Sequence, residues 1–222
     1  MNYQKQLEEL ILQNENSRKK LLLHSCCAPC SSYVLEYLRE YFDITVFFYN
    51  PNISSSIEYE KRMQEEIRLI EAYNEQVRNG NFENMNSTRK AGLIQIIEAE
   101  YEPSKFYEAV KGYEDLGEGS IRCRKCFELR LGESAKVAKN RGFDYFTTTL
   151  TISPLKNAEW LNEIGAFWGE KEGILFLPSD FKKKDGYKRS IQLSKDFGLY
   201  RQDFCGCAFS KTEMEQRRKM QE

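Results

Sequence analysis

The sequence predicts an α/β protein: a parallel sheet of about five strands with helices on both faces. Two observations carry that prediction. Short apolar runs alternate with stretches whose apolar residues recur at helical spacing. Such alternation argues for parallel strands joined by crossover helices. The thiol-rich stretch "HSCCAPCSS", residues 24–32, directly follows the first apolar run. That is the carboxyl end of a strand, where open α/β sheets place their sites.

Residues 1–20, "MNYQKQLEELILQNENSRKK", read as a polar, helix-prone arm. "KLLLHS" is the first strand. Pro29 then suits the first turn of a helix, continued by Val34, Leu35, Leu38 and Phe42. "DITVFFYNPNI" is a second buried strand running into an Asn/Pro loop. Ile57, Met63, Ile67 and Ile70 mark a second helix, and residues 79–92 a polar loop or insertion. "GLIQIIEAEY" is a third strand, and "KGYEDLGEGS" a mobile loop ahead of "IRCRKC". Phe127, Leu131, Ala135 and Ala138 line a helix beginning around the second cysteine pair. "FDYFTTTL" is a fourth strand, Trp160, Ile164 and Phe167 line the next helix, and "GILFLP" is a fifth strand. A further helix is expected near residues 188–198, and residues 211–222 form a charged tail expected to be helical. No repeat and no Pro-, Gly- or Ser-rich linker divides the chain, so residues 1–222 read as one domain.

With 41% apolar and 30% charged residues, the composition is that of a soluble globular protein. The net charge of −1 means that any nucleic-acid site must be a local patch. The amino terminus lacks the apolar core of a secretory signal, and runs such as "ITVFF" are too short to cross a bilayer. A cytoplasmic location is expected, where thiols stay reduced. No GxxxxGK[ST] or GxGxxG motif occurs, so nucleotide-cofactor chemistry has no support.

The seven cysteines fall into three groups: Cys26, Cys27 and Cys30; Cys123 and Cys126; Cys205 and Cys207. Purely structural cysteines would scatter among strands and helices, so the grouping points to a common site. A structural zinc built from the two CxxC pairs would leave Cys26 and the CGC pair unexplained. A disulfide framework is disfavoured by compartment and by the odd count, and a thioredoxin-like pair accounts for one group of three. An iron–sulfur cluster takes four thiolates. The three that remain could hold a second metal with an open position, as catalytic metals need. His24, the only histidine, is either a ligand or proton donor to this site or a core histidine at a strand end.

At "LLLHSCCAPCS", "FFYNPNI", "CRKCFELRL", "TTTLTISPLKN" and "CGCAFS", in that order from Leu21 to Ser210, the chain resembles the cobalamin-independent epoxyqueuosine reductases of QueH type. The resemblance implies reduction of epoxyqueuosine to queuosine at the wobble base of certain tRNAs, the last step in making that base. It implies a sheet similar to that of adenine-nucleotide-hydrolase-like (HUP-like) proteins without their phosphate loop. It also implies a [4Fe–4S] cluster beside a mononuclear metal, expected to be iron. Carried over onto this chain, Cys26, Cys27, Cys123 and Cys126 hold the cluster, and Cys30, Cys205 and Cys207 the second metal. Some family members resemble this chain except for an aspartate at Cys30; an exchange of Cys30 and Cys26 between the two sets stays open.

Removing an epoxide oxygen to leave an alkene takes two electrons and two protons. An open metal position would act as Lewis acid toward that oxygen, with the cluster as electron relay. An external donor such as ferredoxin or flavodoxin is expected. His24, Tyr49 and Tyr113 are the candidate proton donors, each with a structural alternative. Asn50 and Asn52 are candidates for contacts to the substrate base, against an Asn/Pro turn. Ser153, Lys156 and Asn157 are candidates for sugar or phosphate, against a helix cap. "FKKKDGYKRS" is the best local nucleic-acid patch, nominating Lys182, Lys183, Lys184, Lys188 and Arg189 as tRNA backbone contacts, against a solvated loop. The competing readings are another iron–sulfur tRNA-modifying enzyme and a zinc-stabilised RNA-binding protein.

Overall fold

The computed structural model describes residues 1–14, 17–88 and 90–219. Five parallel strands form one sheet: β1 (Lys19–Ser25), β2 (Phe42–Phe48), β3 (Gln95–Glu98), β4 (Tyr145–Thr148) and β5 (Leu175–Phe176), in the order β3-β2-β1-β4-β5. Eight helices flank it: α1 (Tyr3–Gln13), α2 (Ala28–Leu38), α3 (Ser56–Asn79), α4 (Pro103–Ala109), α5 (Ile121–Asn140), α6 (Ala158–Glu172), α7 (Gly186–Asp196) and α8 (Ala208–Lys219). This is the expected α/β architecture, and its strand order is compatible with a HUP-like sheet. Among the described residues no helix is long and apolar enough to cross a membrane.

β1 sits at the centre and is apolar on both faces, which is why its sequence reads as a continuous run. Leu21 and Leu23 point into one core, with Leu7 and Ile11 of α1, Val34 and Leu35 of α2 and Leu69 and Tyr73 of α3. Leu22 points into the other, with Phe127, Leu131 and Ala135 of α5 and Leu161 and Ile164 of α6. The chain moves from β1 outward to β3 and then crosses to β4 on the other side of β1. The crevice beyond the carboxyl ends of β1 and β4 is therefore the switch point of the sheet.

Several expectations change. Phe42 opens β2 instead of closing α2, because the helix ends at Leu38 and the chain turns at Arg39 and Tyr41. Ile57, in the first turn of α3, is 81% exposed. The buried face of α3 instead carries Tyr59, Arg62, Glu66, Leu69, Ile70 and Tyr73, with Arg62 and Glu66 ionisable. Phe167 is likewise exposed. The arm at 1–20 divides into α1, docked through Leu7 and Ile11, and the start of β1. In the 79–92 segment, α3 runs on to Asn79, and the loop after it is held to α2 by Asn86 N–H on Glu36 (3.0 Å) and Ser87 Oγ on the Glu36 carbonyl (2.9 Å). The loop before Ile121 is also tied: Glu118 N–H donates to Glu213 of α8 (3.0 Å). α8 begins at Ala208, earlier than expected, and residues 220–222 of the tail lie outside the described residues. α4 has no counterpart in the sequence reading.

Candidate metal and substrate site

All three cysteine groups stand at helix amino termini. Cys26 and Cys27 occupy the turn from β1 to α2, with Cys27 as N-cap and Cys30 in the first turn. Cys123 and Cys126 lie in the first turns of α5, three apart and so on one face. Cys205 and Cys207 end the loop that enters α8. Unpaired N–H groups and the helix dipole favour negative charge at each position. All seven cysteines are free thiols.

The Sγ atoms of Cys26, Cys27 and Cys30 lie within 4.8 Å of one another. Cys26 and Cys27 are 3.7 Å apart. Thr149 of the turn after β4 donates to Cys26 Sγ (3.6 Å), and Gln202 Nε2 to Cys27 Sγ (2.7 Å). Hydrogen bonds from Cys27 and Cys30 hold the Cys26 thiol well below the ordinary thiol range, and Cys27 and Cys30 are raised in return. Cys123, Cys126, Cys205 and Cys207 line a second, small space of about 20 Å³ together with Asn52 and Phe106. Cys205 is held low by Cys207 and by Lys156, whose ammonium donates to Cys205 Sγ (3.4 Å). Burial pushes Cys126 up to about 11.

The CGC hairpin is docked by residues that periodicity did not nominate. Arg62, buried on α3, donates to the Cys205 carbonyl (3.2 Å) and the Phe204 carbonyl (3.4 Å) and pairs with Glu58 (2.7 Å). Gly206 takes φ +110°, and a Cβ there would sit 2.9 Å from Ile53 Cγ1, so glycine is required. Ser54 N–H donates to the Gly206 carbonyl (3.0 Å).

A cavity of about 180 Å³ opens over these thiols at the switch point. Its wall includes Cys26, Cys30, Cys205, Arg130, Lys156 and Tyr187, with Ser153 nearby on the same wall. Lys156 pairs with Glu118 across it (2.8 Å). Ser153 and Lys156 thus stand where a substrate would lie. Asn157 does not: its Oδ1 caps α6 by accepting from Trp160 N–H (3.1 Å). Asn50 is fully engaged between the Ser25 carbonyl (2.9 Å) and Arg130 (2.5 Å). Asn52 donates to the Cys205 carbonyl (3.4 Å), and its Oδ1 is buried without a partner beside the small thiol-lined space.

None of the three proton-donor candidates lines the main cavity. His24 is 0% exposed, with Nδ1 at 2.8 Å from Thr148 Oγ1 and Nε2 at 3.2 Å from Arg130 Nε. Burial and the guanidinium beside it lower its pKa to about 3, so the imidazole is neutral and supports Arg130. Tyr49 is buried against Phe47, and burial pushes its phenol up to about 12. Tyr113 lies in the turn after Val110, away from the cavity.

The basic segment divides in two. Arg189 grips the buried Glu36 with Nε (3.0 Å) and Nη2 (2.6 Å), Lys182 pairs with Asp180 (2.5 Å), and Lys184 pairs with Glu8 of α1. Those three charges are committed internally. Lys183, Lys188 and Tyr187 are exposed, and Tyr187 stands at the cavity wall. Sequence reasoning missed Arg130, Arg62, Glu118 and Gln202. Arg130 was signalled: it follows Cys126 by four on α5 and so shares its helical face. Nothing local marks the others.

The epoxyqueuosine reductase QueH family model matches residues 21–213. An epoxyqueuosine reductase QueH of Staphylococcus aureus is 44% identical over 215 residues, 95% of this chain and 84% of that protein. The Staphylococcus epidermidis protein of the same name is 42% identical over 214 residues, with the same shares of the two chains covered. That of Thermotoga maritima is 39% identical over 193 residues, 87% of this chain and 91% of the other. With its thiols gathered at the switch point and this match across nearly its whole length, the chain belongs to the epoxyqueuosine reductase QueH family.

Proposed function

We propose that this protein reduces epoxyqueuosine to queuosine in tRNA, drawing its two electrons from an external donor of the ferredoxin or flavodoxin class. The observation that carries this reading is the meeting of all three cysteine groups at the sheet's switch point: Cys26, Cys30 and Cys205 line the cavity, and Cys123, Cys126 and Cys207 line the small space that shares Cys205 with it. The donor set fits soft metals: thiolates only, at helix amino termini, with cationic Arg130 and Lys156 beside them. Four thiolates would hold a [4Fe–4S] cluster and three a second metal, which we take to be iron. Together these groups would supply electrons and a Lewis acid for the epoxide oxygen.

The chain's own residues bind and orient. Lys156, fixed by Glu118, presents its ammonium in the cavity and can donate a hydrogen bond to an oxygen that gains charge as its bond to carbon breaks. Ser153 offers a hydroxyl on the same wall. Tyr187 at the cavity wall is suited to stack a base of a single-stranded loop, and exposed Lys183 and Lys188 to meet its phosphates.

Besides the exchange of Cys26 and Cys30, two divisions of the thiols are open. The sequence-based quartet is Cys26, Cys27, Cys123 and Cys126, leaving Cys30, Cys205 and Cys207. The closeness of Cys26, Cys27 and Cys30 supports a triad of those three for a single ion, with the other four as the quartet.

The test is direct. Iron, acid-labile sulfide and zinc are measured on anaerobically purified protein. The protein is then incubated with a low-potential reductant and tRNA carrying epoxyqueuosine, and the digested nucleosides are weighed. Bound iron and sulfide with loss of one oxygen from the nucleoside are expected. Stoichiometric zinc without sulfide, even after reconstitution, would overturn the reading in favour of a zinc-stabilised RNA-binding protein.

A further inference from the structure

Arg130 is only 1% exposed, yet it has no carboxylate partner among the described residues. Its guanidinium is held by neutral groups, Nε by His24 Nε2 (3.2 Å) and Nη2 by Asn50 Oδ1 (2.5 Å). An arginine stays protonated in proteins, so this is a permanent buried cation. Such a charge is strongly unfavourable unless opposite charge lies close by. The sulfurs around it are those of Cys126, Cys26 and Cys205, one from each cysteine group, which carry negative charge when they hold a metal. Arg130 also forms part of the main cavity wall. The surrounding hydrogen bonds aim it: Asn50 ties the ends of β1 and β2 to it, and His24 is fixed in turn by Thr148 of β4. Three strand ends therefore converge on a single cation set between the thiols and the cavity.

We infer that Arg130 is the fixed counter-charge of the thiolate site, a positioning residue that sets both its hold on iron and its reduction potential. The inference rests on the reductase reading above. A permanent cation beside a thiolate-bound group favours the reduced, more negative state, so its removal shifts the midpoint potential downward. It also leaves a close set of thiolate ligands without the buried cation set among them, so their mutual repulsion weakens retention of the group they hold.

The experiment compares wild type, R130K and R130Q, each reconstituted anaerobically with iron and sulfide. Iron and sulfide content, circular dichroism and midpoint potential are recorded. R130K keeps a charge and R130Q keeps hydrogen-bonding capacity without one. The expected result is wild-type iron and potential in R130K, and in R130Q either a more negative potential or at least a twofold loss of iron and sulfide. Equal potentials together with equal iron content in all three proteins, or the same change in R130K as in R130Q, would overturn the inference, because charge at this position would then not be what matters. Wild type that takes up no iron and sulfide would reject the reductase reading itself, and the counter-charge role with it.

Discussion

Cys205 and Cys26 are the residues on which the division of the thiols turns. If Cys26, Cys27, Cys123 and Cys126 form the quartet, Cys205→Ser keeps acid-labile sulfide and loses the mononuclear metal. If Cys205 belongs to the quartet, the same variant loses sulfide, and Cys26→Ser keeps it. Iron and sulfide assays on the two variants decide the matter. Glu66 offers a second residue-scale prediction. It is fully buried beside the Ser25 and Ser31 hydroxyls, which bond to each other (2.6 Å). Burial raises its pKa to about 8 from 4.5. The unfolded chain releases this proton near pH 4.5 while the folded chain holds it to about 8. Stability is therefore fullest below pH 4.5 and falls as pH rises to about 8. Glu66→Gln should flatten that slope, with a relative gain at pH 8 on the order of a few kcal/mol in urea unfolding at matched pH.

The elements that shape the site are turns and helix starts. Gly206, at φ +110° between two cysteines, admits no side chain without displacing Ile53 or Arg62. Gly206→Ala should cost about 1–3 kcal/mol in thermal unfolding and lower metal content, through a displaced CGC hairpin. α7 carries the contrast between structural and free charge. Arg189→Ala strips the partner from Glu36, which is 2% exposed, and should destabilise by about 3–5 kcal/mol. Lys188→Ala on the same helix should leave the melting temperature nearly unchanged. Equal losses in the two variants would contradict this division of the basic segment.

For the whole molecule, the proposed tRNA surface is the mouth of the cavity beside Tyr187. Lys183→Ala with Lys188→Ala should weaken tRNA binding and reduce the slope of log affinity against log salt by about 1.4, some 0.7 for each single-strand phosphate contact. Iron content should not change. An unaltered slope would remove these lysines from the RNA interface. The strand order has a consequence of the same scale. Thr149 reaches Cys26 and Asn50 reaches Ser25 only because β2 and β4 both flank β1 in parallel, in a register that levels His24, Phe47 and Thr148.

Much of this was written locally in the chain. Strand and helix alternation, the buried centre of β1, the start of α5 at the second cysteine pair and the grouping of the thiols all follow from neighbours in sequence. Periodicity, proline at a helix start and cysteine spacing act over a few residues and so can be read there. Contacts between distant segments cannot. Arg62 faces inward because the loop at Phe204–Gly206 offers it carbonyls. Arg189 turns from candidate RNA contact to internal anchor because Glu36, 153 residues away, is buried beside it. His24 is a buried support and not an exposed acid because Arg130 arrives from α5. Charge and polarity identify which side chains can do chemistry; only packing decides which of them are already satisfied, and so which remain free to act on a substrate.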